Sequence, residues 1–147
     1  MKMTKLYRMF SEGEGFMDIK RDKYLNDLIS RMHNGMIKVV TGIRRCGKSY
    51  LLFNIFKNYL LEQGVPASHI IMIELDQRKN KKYRDPDVIL DYIESLIEED
   101  GQYYIMLDEV QMLQEFEEVL NSLLHIRNAD VYVTGSNSKF LSKDVIT

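Results

Sequence analysis

Gly42-Ile43-Arg44-Arg45-Cys46-Gly47-Lys48-Ser49 is the stretch that decides the fold. It fits the pattern G-x-x-x-x-G-K-[ST], and the chemistry explains the spacing. The glycines let backbone wrap a phosphate without Cβ clashes. Successive N–H groups and the start of the following helix attract an anion. Lys48 places an ammonium near the β and γ phosphates of a nucleotide, and Ser49 offers a hydroxyl to Mg²⁺. The cradle runs from Gly42 through Ile43, Arg44, Arg45, Cys46, Gly47, Lys48 and Ser49 to Tyr50. Arg44 and Arg45 either touch nucleotide or brace the loop against a carboxylate. Cys46 lies near a helix N-terminus and Lys48, a setting that favours the thiolate. The plain alternative is an ordinary strand–helix turn. The flanks decide against it.

Upstream, Met36–Thr41 is a short apolar run rich in β-branched residues, as a buried strand requires. Before that, Leu25, Leu28, Ile29 and Met32 fall on one helical face, which Asn34-Gly35 ends. Downstream, Leu51, Leu52, Ile55, Phe56, Tyr59 and Leu60 form a wide apolar stripe closed by Gly64. The alternation then repeats. Ile70–Leu75 is a strand. Asp85 and Pro86 open a helix carrying Val88, Ile89, Tyr92, Ile93, Leu96 and Ile97. Tyr103–Leu107 is a third strand. Leu113, Phe116, Leu120, Leu123 and Leu124 make another helical face, and Val131–Thr134 is a fourth strand. Strands alternating with helices predict an α/β fold, a three-layer sandwich around a mainly parallel sheet.

Two further strand ends carry polar chemistry. Tyr103-Tyr104-Ile105-Met106-Leu107 runs into Asp108-Glu109. In a parallel sheet the strand C-termini form the ligand edge. Asp108 is therefore expected beside the Mg²⁺ held by Ser49, with Glu109 orienting or deprotonating the attacking water. A solvated strand end is the bland alternative, and the phosphate loop one strand earlier argues against it. Val131-Tyr132-Val133-Thr134 leads into Gly135-Ser136-Asn137. Asn137 could reach the water or the γ-phosphate, with Ser136 as the alternative residue and a plain turn as the non-catalytic reading.

These three elements together resemble the AAA+ ATPases, with Gly42–Ser49 as Walker A, Asp108-Glu109 closing Walker B and Asn137 at sensor 1. The closer resemblance is to a prokaryotic family of AAA ATPases that carry a C-terminal domain of unknown function. It rests on Thr41-Gly42-Ile43-Arg44-Arg45, Leu107-Asp108-Glu109-Val110-Gln111 and Thr134-Gly135-Ser136-Asn137-Ser138-Lys139, with Arg21 and Tyr24-Leu25 upstream. The resemblance implies a P-loop NTPase sheet of order 5-1-4-3-2, ATP as ligand and Mg²⁺-dependent hydrolysis. It also implies a fifth strand and a C-terminal domain beyond residue 147. On that reading residues 1–147 are the ATPase core, with residues 1–17 an N-terminal extension and the lid outside the chain. Lys38-Val39-Val40-Thr41 would then be an open edge, which recruits other segments. Another chain is favoured over Lys5–Phe10 as its cover, because Lys5–Phe10 lacks clean alternation. Self-association into a homo-oligomer is the expectation.

Composition sets the outer bounds. The 147 residues are one domain's worth, 45% hydrophobic and 29% charged, with a formal net charge of −2. That charge argues against a chain-wide pull towards nucleic acid or membrane. No apolar run approaches a membrane span, and Met1–Phe10 lacks the apolar core of a signal peptide. A single cysteine is compatible with a reducing compartment, so the expectation is a cytoplasmic protein. Arg78, Lys79, Lys81, Lys82 and Arg84 crowd one loop and could contact nucleic-acid phosphates. With only Tyr83 among them to stack and acidic residues on both flanks, a solvated loop is the preferred reading. His33, His69 and His125 lack metal-ligand spacing.

The function expected from all this is an ATPase whose cycle moves an attached domain or partner. The alternative is a slow nucleotide-dependent binding switch for DNA or a protein. A kinase is disfavoured, since nothing after the phosphate loop looks like an acceptor site.

Overall fold

A computed structural model describes residues 2–6, 17–41, 47–98 and 100–135. Five strands form one sheet: β1 (Met3–Leu6), β2 (Ile37–Thr41), β3 (Ile70–Glu74), β4 (Tyr103–Asp108) and β5 (Ala129–Gly135). Their order is β1-β2-β5-β4-β3, and every neighbouring pair is parallel. The helices are α1 (Met17–Ser30), α2 (Lys48–Tyr50, continuing through Leu51–Phe56 and Lys57–Glu62), α3 (Pro86–Leu96) and α4 (Phe116–Leu124).

Side chains alternate across the sheet as a pleat dictates. Tyr103, Ile105 and Leu107 join one core cluster with Ile89, Ile93, Leu120 and Leu123 of α3 and α4. Tyr104 and Met106 join the other, with Leu28 of α1 and Leu51, Leu52, Phe56 and Leu60 of α2. Both faces are covered, so the central strands read as continuous apolar runs rather than alternating ones. The expected helix boundaries are met by ordinary caps. Asp85 accepts from the N–H groups of Asp87 and Val88. Gly64 takes φ 91° after α2, and the Val65 N–H closes back onto the Leu60 carbonyl at 3.1 Å.

Three details differ from the sequence expectation. The middle of α2, Leu51–Phe56, winds in wide π turns, a geometry frequent near functional sites. Arg78–Arg84, read as a loop, is a 3₁₀ helix. The third difference corrects the open edge. Lys38–Thr41 is not an edge: β1 lies along β2, with Met3 opposite Ile37 and Leu6 opposite Val40. The cover is this chain's own N-terminus, so the expected self-association through an uncovered β2 loses its premise. The sequence misled because alternation is the wrong test here. Met3 and Thr4 point to opposite faces and both are buried. The strand also starts ahead of Lys5–Phe10, of which residues 7–10 lie outside the described residues.

Candidate functional site

The C-terminal ends of the strands bring the site together. Thr41 of β2 sits opposite Gly135 of β5, and Asp108 of β4 opposite Glu74 of β3. Gly47 takes φ 87°, a left-handed conformation that glycine adopts without steric cost, and it turns the chain into α2. The Leu51 N–H then bonds the Gly47 carbonyl at 2.8 Å. That turn puts Lys48 and Ser49 beneath the ends of β4 and β5.

Lys48 is buried, with 4% of its surface exposed. Its Nζ donates to the Gly135 carbonyl at 3.0 Å and lies 3.1 Å from Glu109 Oε1. Ser49 Oγ donates to Asp108 Oδ1 at 2.6 Å. Thr134 donates to the same oxygen from the adjacent strand, and accepts the Glu109 N–H at 2.8 Å. Gln111 Nε2 donates to Glu109 Oε2 at 2.7 Å. Glu109 itself stands at φ 54°, ψ 55°. A non-glycine residue in that region costs about 1–3 kcal/mol, and such outliers cluster at active sites. The kink ends β4 and starts the 3₁₀ turn Val110–Met112.

Burial pushes the Asp108 carboxyl above the usual range. The Ser49 and Thr134 hydroxyls pull it back down, and the nearby Glu109 and Asp76 carboxylates push it up again. Asp76, just past β3, keeps Oδ1 buried without a hydrogen-bond partner. A buried carboxylate oxygen with no donor is costly, and a cation is the natural complement. The chemistry of Ser49, Asp108 and Asp76 thus fits a hard, oxygen-seeking cation. Among the described residues, no group of three or more His, Cys, Asp or Glu side chains could by itself hold a metal. Mg²⁺ in nucleotide sites needs no such cage, since phosphates and waters complete its shell.

Of the expected site residues, Gly47, Lys48, Ser49, Asp108 and Glu109 converge here. Tyr50 is half-exposed on the next helical position. Gly42, Ile43, Arg44, Arg45, Cys46, Ser136 and Asn137 lie outside the described residues. Thr134, Gln111 and Asp76 were missed as site residues. Thr134 could have been found, as a hydroxyl closing an otherwise apolar strand just ahead of Gly135. Elsewhere the histidines are structural: His69 stacks on Tyr103 with ring centroids 4.1 Å apart, and His33 bonds the Tyr104 hydroxyl at 2.9 Å.

A glycine-turned strand–helix junction with Lys-Ser, facing Asp-Glu at the end of a parallel strand, defines a P-loop NTPase-like domain. The comparison with family models agrees: residues 34–147 match the AAA domain, and the chain belongs to that family, whose members are nucleotide-binding and ATPase-like. An uncharacterised protein of Haemophilus influenzae is 31% identical over 130 residues, covering 88% of this chain and 32% of the relative. An uncharacterised protein of Methanocaldococcus jannaschii is 26% identical over 133 residues, covering 87% of this chain and 27% of the relative. The chain thus spans about a third of the length of these relatives. No solved structure matches it. Among the described residues, no helix is long and apolar enough to cross a membrane.

Proposed function

We propose that this chain binds ATP with Mg²⁺ and hydrolyses it, and that the cycle drives a conformational change in an attached domain or partner. The observation that carries this is the pairing of Ser49 with Asp108 at 2.6 Å while Lys48 sits 3.1 Å from Glu109. Ser49 and Asp108 would hold Mg²⁺, with Asp76 close behind. When bound, that cation would neutralise charge on the transferring phosphoryl oxygens. Lys48 would exchange its contact with Glu109 for the β and γ phosphates. Release from Lys48 frees Glu109 Oε1 to take a proton from water, while Gln111 keeps Oε2 oriented. Gly42–Cys46 would cradle the phosphates, and Asn137 would position the water. Residues 1–147 would form the ATPase core of a longer protein, working in the cytoplasm.

Glu109→Gln tests the assignment, since it keeps shape and hydrogen bonding but removes the base. Affinity for a fluorescent ATP analogue should hold within a few-fold, while steady-state phosphate release should fall by about 10²–10⁴. Undiminished release would remove Glu109 from the chemistry. Tight binding with no turnover in either protein would select the slow binding switch instead.

A further inference from the structure

The cationic run Arg78–Arg84 is better ordered than a solvated loop needs to be. It forms a 3₁₀ helix, with three residues per turn and about 2.0 Å of rise per residue. That winding sorts the run into stripes. Asn80 and Tyr83 share the inward stripe. Asn80 Nδ2 donates to the Glu74 carbonyl at 2.9 Å, and Tyr83 packs against the core and against Tyr92 at a centroid distance of 4.7 Å. The other two stripes are cationic: Arg78, Lys81 and Arg84 on one, Lys79 and Lys82 on the other. Arg78, Lys79, Lys81 and Lys82 are exposed, and none makes an ion pair among the described residues.

Next to them lies a groove of about 590 Å³ lined by Lys81, Lys82, Arg84, Asp85, Met112 and Gln114. The one carboxylate in it, Asp85, already accepts two backbone N–H groups at the start of α3. Met112, 39% exposed, contributes an apolar patch.

We propose that this surface binds the phosphate backbone of a nucleic-acid duplex, and that it does so beside the nucleotide site. The proposal gives a partner to the ATPase reading above and rests on it only for the coupling. Two observations choose the occupant. Uncompensated cations held in rows on a rigid element suit regularly spaced phosphates, the dominant source of non-specific duplex affinity. Single strands need an open aromatic platform, and the Tyr83 ring is engaged by Tyr92 on one side and by Lys82, 5.0 Å from its centroid. An acidic protein would satisfy the charge alone but presents no such regular array of anions.

The path to the nucleotide is short and made of hydrogen bonds. Arg84 Nε holds the Leu75 carbonyl at 2.8 Å, and the Leu75 N–H holds the Asp108 carbonyl at 3.1 Å. The Arg84 carbonyl accepts the Gln114 N–H at 2.9 Å, three residues beyond Gln111, which orients Glu109. A duplex pulling on this element therefore acts on both ends of the Asp108-Glu109 turn.

The test is fluorescence anisotropy with a short labelled DNA duplex, without nucleotide, on the wild type and on the variant R78Q/K79Q/K81Q/K82Q. Binding should weaken by about 100-fold between roughly 50 and 200 mM salt, as expected for about four phosphate contacts. The variant should bind at least tenfold more weakly at low salt and lose most of that salt dependence. Circular dichroism melting and affinity for a fluorescent ATP analogue should be unchanged, because all four side chains are exposed. Duplex should raise phosphate release in the wild type and not in the variant. Equal duplex binding by the two proteins overturns the proposal. So does stronger binding of the matching single strand, or displacement of the duplex by polyglutamate at equal charge. If neither protein hydrolyses ATP, the ATPase reading fails while the anisotropy result still decides the surface.

Discussion

Among the described residues, two buried lysine–carboxylate pairs lie at opposite ends of one sheet, and they are built differently. At the N-terminal ends of the strands, Lys38 Nζ bonds Asp130 Oδ1, Asn34 Oδ1 and the Met36 carbonyl. Asp130 Oδ2 takes the Tyr132 hydroxyl and the His33 N–H. Three ammonium donors meet three acceptors, and both carboxylate oxygens are engaged. At the C-terminal ends, Lys48 meets Glu109 from a residue held in a left-handed conformation, beside a raised Asp108 and an unpartnered Asp76 oxygen. The first pair is closed and joins β2 to β5, and its neighbours Asn34 and His33 bond Thr4 of β1 and Tyr104 of β4. The second is strained at Glu109 and leaves a neighbouring carboxylate oxygen without a donor. A buried ion pair therefore says little by itself; the satisfaction of its remaining atoms separates lock from site.

The largest effect should come from opening the closed pair. Lys38 is fully buried, and burial pulls its ammonium below the usual lysine range while Asp130 holds it up. Lys38→Met leaves the Asp130 charge without its partner and should cost about 3–5 kcal/mol. Urea unfolding measures it. Adding Asp130→Leu should recover much of the loss, since well-packed apolar replacements of buried pairs are often neutral. A single variant as stable as the wild type would show that the network is not closed around a charge.

Next is the open pair. Lys48→Ala should cost the folded protein less than Lys38→Met, because Glu109 keeps its bond from Gln111. What it should lose is the response to ATP·Mg²⁺. At a hundredfold excess over Kd, ligand stabilises the wild type by about 2.7 kcal/mol. The variant's Tm should not move with nucleotide. An equal shift in both proteins would separate Lys48 from phosphate binding.

The same contrast explains what could be read from sequence. The open site was legible because its parts are local: a strand, glycines and a helix around Lys48, and an apolar strand running into Asp108-Glu109. The closed pair was not. Lys38 passes for one residue of an apolar strand, and its partner Asp130 lies 92 residues away. β1 escaped for a related reason: four residues of Met, Thr, Lys and Leu carry no periodicity until β2 and its register are known. The stripes in Arg78–Arg84 depend on 3₁₀ winding, which its anchors Asn80 and Tyr83 fix through contacts with the end of β3 and with Tyr92 of α3. Local chemistry is written in spacing, whereas satisfaction of a buried charge is a property of the folded neighbourhood.

The smallest effect is a gain. Both hydroxyl bonds to Asp108 fall on Oδ1, and asparagine in its place keeps that acceptor while removing the charge. Because the folded carboxyl is raised, the native state holds its proton to higher pH than the unfolded chain does. Stability from that proton is full below the unfolded value near pH 4 and is lost as pH rises through the folded value. An ionised Asp108 is therefore a cost to the native state. Asp108→Asn should raise the Tm of the nucleotide-free protein at neutral pH by about 2–4 °C, equivalent to about 1 kcal/mol. The difference from wild type should shrink towards zero as pH falls to about 4, and ATP·Mg²⁺ should stabilise the variant far less. A variant less stable than wild type at neutral pH, or a difference that ignores pH, would mean that Asp108 is a satisfied structural carboxylate like Asp130, and the contrast between the two ends of the sheet would collapse.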